Sequence, residues 1–346
     1  MSHLRNAILP LVLTSLLTAC GSDNQSVVDD AEHEANAVLA VKEHIDKEID
    51  TLAVAVTALC AAAPAADDDG WNAGEDAAAV EVMRSEWKKA RIAYEGMEGA
   101  IAVVFPDLDY ALDARYDAFI EAAADTNLFD DSGVTGMHAV ERILWANEMP
   151  AHVVTFESAL PNYKPAAFPA TLAEAGAFKG SLCARLVTDV ESMRTQWKDL
   201  ALDGIAAYRG VTGSMAEQAE KVIKAATGEE ESRYARFTMA DMRANVAAAK
   251  IMSAAFQPWL ESKEGGADLD AKITAGFALL DAAIAKHPGE GIPEVPEGWS
   301  SEAPTAAMLA TPFGQLFTVV EEQSDAENEG SLVASLTKAG DLIGAR

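Results

Sequence analysis

The stretch Thr135–Trp145, TGMHAVERILW, sets a histidine and a glutamate three residues apart in a run that is otherwise mostly apolar and helix-forming. Residues at that spacing share a helix face, so His138, Glu141 and Trp145 form one stripe beside a second stripe of Met137, Val140 and Leu144. The pair is thereby turned toward a packed interior. Buried imidazole and carboxylate groups are costly without partners, and a bound metal ion is one such partner. A second helix supplies more carboxylate: in AYEGMEGA, Glu98 follows Tyr94 by four and borders the apolar stripe, with Glu95 one turn back. Helical bundles build metal sites from these parts, a carboxylate from one helix and a histidine–carboxylate pair at three-residue spacing from another. The spacing alone leaves metal binding open beside a salt-bridged or solvated pair. A helical zinc peptidase needs a second histidine four residues after the first, and that position is Arg142; no Gly-x-Ser-x-Gly elbow is present either. His33, His44, His152 and His287 lie off any inward stripe with acidic partners.

The elements that must position these groups read as helices throughout. Val38, Val41, Ile45, Ile49, Leu52, Val56 and Leu59 recur at helical spacing, and after the breaker APAADDDGWNAGED the same period runs from Met83 through Trp87, Tyr94 and Ile101 to Val104. Pro106 ends that second helix; Leu108, Leu112, Tyr116 and Phe119 mark a third, and the fourth carries the motif, with Ser132 or Thr135 placed to cap it. Four prolines between Pro150 and Pro169 indicate a long connection. Beyond it come a helix over Leu182–Leu200, a shorter one around Met215–Ile223, two long ones over Met239–Trp259 and Leu269–Ile284, one over Leu309–Val320 and a short last one at Leu332–Leu336. Sustained alternation is missing and alanine is abundant, so the expected fold is all-α, two antiparallel helical bundles in series. The expected division is an N-terminal bundle over 34–149, a connection over 150–170 and a C-terminal bundle over 171–346.

The amino terminus has a different character. Arg5, an apolar run from Ala7 to Leu17 and then LTAC indicate a secretory signal over residues 1–19, too short to cross a bilayer. The small residues before Cys20 resemble a lipobox, which makes Cys20 the lipidated first residue of the mature chain, followed by a polar tether over 20–33; an ordinary signal peptide cut elsewhere is the alternative. Gly21 and Ser22 after the cysteine resemble sorting to the outer membrane. With Cys20 lipidated, Cys60 and Cys183 are the two thiols left, and an oxidising compartment favours a disulfide between them over two buried thiols. Acidic side chains outnumber basic ones 55 to 26, a net charge of −29, which repels nucleic acid and attracts cations. Most of that charge serves solubility.

TGMHAVERILW, taken with the rest of the chain, resembles the Gly-x-His-x-x-Glu motif of the imelysin-like family, which takes in iron-regulated lipoproteins and the metal-binding domain of EfeO-type and EfeM-type iron-uptake components. WKKARIAYEGMEGA followed by FPDLDYALDAR is similar to the family's first-bundle signature, and TGEEESRYARFTMADMRANVAAAKIMSAAFQPWL to its second. What the resemblance implies is a periplasmic or surface protein with a metal site between or within two helical bundles. His138 and Glu141 carry the motif, Glu98 matches the inward glutamate, and Asp113 and Asp109 match aspartates of the first signature. Glu95, Glu230 and Asp241 stand as supporting or second-bundle residues, although Glu230 serves equally as a first-turn acid and Asp241 as an interhelical hydrogen-bonding group. Oxygen donors with one imidazole suit iron, zinc or manganese. Lipid-anchored metal capture for uptake, with an iron permease or a haem peroxidase system as partner, is the first functional expectation. An imelysin-type metallopeptidase and a metal-bridged polysaccharide-binding module are the alternatives.

Overall fold

The computed structural model describes residues 29–72, 74–118 and 125–345. The signal segment 1–19, the lipidation expected at Cys20 and the apolar position Phe119 lie outside these residues. Every regular element among the described residues is helical and none is a strand, as the all-α expectation requires.

Helix α1 (Asp30–Ala61) starts where the Asp29 carboxylate accepts the Glu32 N–H, and it buries Val41, Ile45, Ile49, Leu52, Val56 and Leu59 along one stripe. That stripe packs against α2 (Ala77–Glu95) and, from beyond the proline-rich connection, against α8 (Cys183–Asp199) and α10 (Thr238–Glu261). The disulfide expected between Cys60 and Cys183 is formed. It joins the last turn of α1 to the first of α8, with Cα atoms 5.6 Å apart. Helices α9 (Gly204–Ala225), α11 (Gly266–Ala285), α13 (Pro312–Ser324) and α14 (Leu332–Ile343) pack among themselves and on α10, which therefore contacts both groups. Their buried apolar side chains form one continuous cluster.

Several elements depart from the sequence reading, and two of the departures build the site. The helix expected from Met83 to Val104 breaks after Glu95, and α3 (Glu98–Val104) sets off separately. Gly99 in α3 lies against Gly210 of α9, where a Cβ on Gly210 would stand 1.9 Å from the Gly99 carbonyl oxygen, so only glycine permits this crossing. The third helix, α4 (Pro106–Asp113), stops at Asp113 because Ala114 is extended. Helix α5 (Gly136–Leu144) begins at Gly136 with φ of +87°, and a Cβ there would meet the Ala111 and Leu112 carbonyl oxygens at 2.7 Å. That close approach brings the start of α5 onto the end of α4. Thr135 precedes α5 but its side chain makes no capping bond.

The connection after Pro150 holds a short helix, α6 (Ala151–Glu157), and α8 is preceded by α7 (Leu172–Ala177) and one π turn, Phe178–Leu182. The element expected around Met215 is the long α9; its apolar period is diluted by glycine and alanine. Residues 306–324 form two helices, α12 (Ala306–Leu309) and α13, because Thr305 and Thr311 each cap a new start and Pro312 occupies the first turn of the second.

Candidate metal centre

All nine residues of α5 are buried. His138 and Glu141 share its inward face as expected, and the His138 Nδ1 lies 2.7 Å from Glu141 Oε2. The other Glu141 oxygen, Oε1, accepts the backbone N–H groups of Tyr234 and Ala235 at 3.0 and 2.8 Å. With both oxygens engaged, Glu141 fixes the ring and leaves Nε2 as its free face. That nitrogen is fully buried and has no hydrogen-bond partner; Asp113 Oδ1 stands 3.4 Å away, out of hydrogen-bond alignment. One nitrogen of His138, one oxygen of Asp113 and one of Glu231 lie within 4.8 Å of one another.

Two cations hold the surrounding carboxylates. Arg91, on the buried stripe of α2 between Trp87 and Tyr94, contacts Glu95 and Asp113, reaches Glu231 at 2.9 Å and stands 3.6 Å from Asp241. Lys221, from α9, contacts Glu231 and lies 3.2 Å from Glu95 and 3.6 Å from Glu98. Asn245 of α10 donates to the Glu95 carbonyl and to Glu98 Oε2, both at 3.0 Å. Ser232 donates to Asp241.

Burial and neighbouring charge divide the acids into two kinds. Burial alone would raise Asp113, but the Arg91 guanidinium and the His138 ring hold its carboxyl well below the usual range. Glu231 is likewise lowered, its burial outweighed by Lys221 and Arg91. Burial wins at Asp241 and Asp109, each pushed up to about 7, and it raises Glu98 as well. Burial favours the neutral form of His138, yet the carboxylates of Asp113 and Glu141 outweigh it and lift the ring to about 9. A cleft of about 320 Å³ lies against this centre, with Glu98, Asp109, Asp113, Glu217 and Glu231 among its walls. Acidic side chains outnumber Arg115, Lys221 and Lys224 along it, a balance that favours the approach of cations.

Of the residues named from sequence, the fold gathers Asp113, Glu95 and Asp241 around Arg91, with His138 beside Asp113 and Glu141 behind the ring. Glu98 sits on the cleft side beside Lys221, and Asp109 stands at the cleft, accepting from the Tyr94 hydroxyl. Glu230 lines a different cavity, 3.8 Å from His152; its neighbour Glu231 faces the centre. Arg91, Lys221 and Glu231 were not read from the sequence. A signal for Arg91 existed, since a charged side chain on the stripe of Trp87 and Tyr94 needs acidic partners.

These features define an all-α protein whose buried histidine and carboxylates face an acidic cleft. The family model of imelysin, Peptidase_M75, matches residues 38–333, and the chain belongs to that family. The iron uptake system component EfeO of Escherichia coli (strain K12) and that of Shigella flexneri are each 25% identical to it over 208 residues, 60% of this chain and 45% of theirs. The chain spans about half the length of these relatives. Among solved structures, an imelysin-like protein from Psychrobacter arcticum 273-4 aligns with a TM-score of 0.49 and 13% identity, over 88% of this chain and 98% of that one.

Proposed function

We propose that this protein captures a divalent metal ion outside the cytoplasm, iron by preference and zinc or manganese by the same donors, and delivers it to an uptake system. The observation that carries this reading is the His138 Nε2, buried, without a hydrogen-bond partner and facing the Asp113 and Glu231 carboxylates. An orphaned buried nitrogen is costly in a finished core, and a metal ion coordinated there removes the cost. Asp113, His138 and Glu231 are the proposed ligands. Glu141 orients the ring through Nδ1, as carboxylates commonly do behind a metal-bound histidine. Glu98 belongs to the cleft side, where it draws the ion inward together with Asp109 and Glu217. Two oxygens and an imidazole suit ferrous iron, zinc and manganese and disfavour cuprous copper.

Iron is preferred because the relatives with the matching segment are named iron uptake system components. The same likeness supports an extracytoplasmic location, which the Cys60–Cys183 disulfide suits. Lipidation at Cys20 and a permease or peroxidase partner belong to this proposal and rest on the sequence and the relatives. Calorimetric titration of chelator-treated protein with ferrous, zinc and manganese ions tests it. His138→Ala is expected to weaken binding at least about 100-fold while leaving helical content intact. Equal binding by both proteins would contradict the assignment.

A further inference from the structure

The centre contains a second convergence of carboxylates beside the first. Oxygens of Glu95, Glu98 and Glu231 also lie within 4.8 Å of one another, so Glu231 belongs to both trios. Carboxylates shared between adjacent positions are how helical bundles hold two metal ions. Here the two trios differ in what already lies among them. The first ends on His138 Nε2, which has no hydrogen-bond partner and stands 3.4 Å from Asp113 Oδ1. Into the second reaches the ammonium of Lys221, in contact with Glu231, 3.2 Å from Glu95 and 3.6 Å from Glu98.

We propose that Lys221 is a built-in cation that fills the second trio, so that the centre takes one divalent ion, at Asp113, His138 and Glu231, and never a pair. This deepens the metal-capture reading and rests on it.

The fold holds the ammonium there firmly. Helix α9 crosses α3 at the Gly210–Gly99 contact, where the backbones nearly touch, and Lys221 lies three turns further along α9. Its side chain is only 7% exposed and is flanked on the same helix by buried Gln218 and Val222. Withdrawal would strand a buried ammonium away from its carboxylates and leave Glu95 and Glu231 to Arg91 alone, and both outcomes are costly. A divalent ion entering the second trio would have to expel the lysine first. In the first trio Arg91 touches Asp113 and Glu231, but no cationic side chain bonds His138 Nε2, which has no hydrogen-bond partner. Arg91 marks the boundary between the positions: it reaches Asp113 and Glu95, one residue from each trio, and the shared Glu231. A single +2 charge beside two fixed +1 charges faces the carboxylates of Glu95, Glu98, Asp113, Glu231 and Asp241. A second divalent ion in place of the lysine would add repulsion between two ions sharing one glutamate.

Stoichiometry decides the matter. Metal-free full-length protein is titrated with zinc, which has no redox chemistry, and bound ions per chain are counted by calorimetry and by elemental analysis after gel filtration. Wild type is expected to hold one ion, and Lys221→Met, which keeps the apolar stem and removes the charge, is expected to hold two. Should Lys221→Met not fold, Lys221→Gln carries the same expectation, while Lys221→Arg keeps the charge and stays at one. Two ions in wild type, or one ion in a folded Lys221→Met or Lys221→Gln protein, would overturn the proposal and leave metal capture standing. No ion in wild type would overturn metal capture itself.

Discussion

Helix α5 carries two buried charged clusters one residue apart, and they are finished to different degrees. Arg142 donates to Glu157 at 3.0 Å and to the Lys164 carbonyl, and its guanidinium lies 3.9 Å above the Tyr116 ring. Glu157 in turn accepts from the Tyr234 hydroxyl, so the polar atoms of this cluster are satisfied. Around His138 they are not: His138 Nε2, Arg91 Nε and Asp241 Oδ1 all lack hydrogen-bond partners. Tyr234 belongs to both clusters, giving its backbone N–H to Glu141 and its hydroxyl to Glu157. The same helix thus shows what a structural ion pair looks like when complete, and beside it a cluster in which Arg91 Nε and Asp241 Oδ1 stand 3.6 Å apart and His138 Nε2 is left without a partner.

The contrast is breakable from either side. Glu157→Ala strands the Arg142 guanidinium in the core, and a loss of about 3–5 kcal/mol in unfolding free energy is expected, with zinc stoichiometry unchanged. Urea denaturation beside metal analysis checks both halves. A loss of metal binding in a folded Glu157→Ala protein would show that the two clusters are one functional unit. Replacing Cys60 and Cys183 by serine removes the tie between α1 and α8, and a loss of about 2–4 kcal/mol is expected because the enclosed loop is long. Metal binding should survive below the lowered melting temperature, since neither cysteine touches the centre.

The pH dependence has a defined sign. His138 is lifted from 6.5 to about 9, so its contribution to the metal-free fold is complete below about pH 6.5 and is lost as pH rises through about 9. That amounts to roughly 3 kcal/mol, read as the difference between wild type and His138→Ala in urea melts at pH 6 and pH 9.5. Metal affinity moves in the opposite direction and strengthens over this window, because the ion must displace the imidazolium proton. A wild-type stability that does not fall between those pH values, relative to His138→Ala, would mean that the ring is neutral in the metal-free protein. The smallest effect belongs to Glu141→Gln. Its amide would keep the Tyr234 and Ala235 N–H bonds through oxygen and turn its NH2 toward Nδ1, which moves the ring proton to Nε2 and blocks the metal-facing atom. A 10- to 100-fold weaker zinc affinity with near-native melting is expected.

Much of this arrangement was legible in the sequence. The apolar period of α5 places His138 and Glu141 inward, that of α2 carries Glu95 to the buried side, and arithmetic on three cysteines gave the disulfide partners. The rest was hidden for physical reasons. Helix α9 was underestimated because Gly210 and its small neighbours are set by how closely α3 approaches, and the large residues that make a period visible would not fit there. The break between Glu95 and Glu98 lies just before that same crossing, which sequence spacing does not report. Glu230 and Glu231 differ by one position in a run of three glutamates, and which one faces the centre depends on the turn before α10. Arg91 shared a stripe with Trp87 and Tyr94, but which carboxylates it and Lys221 neutralise depends on contacts between helices that spacing does not report.

Metal capture at His138 is tested most directly by where an ion binds. Crystals grown with zinc and measured on both sides of its absorption edge should give one anomalous peak at bonding distance from His138 Nε2, with Asp113 and Glu231 as oxygen ligands and Lys221 still among Glu95, Glu98 and Glu231. A zinc-bound crystal with no peak at Nε2, or with its peak in the second trio in place of the lysine, would contradict it.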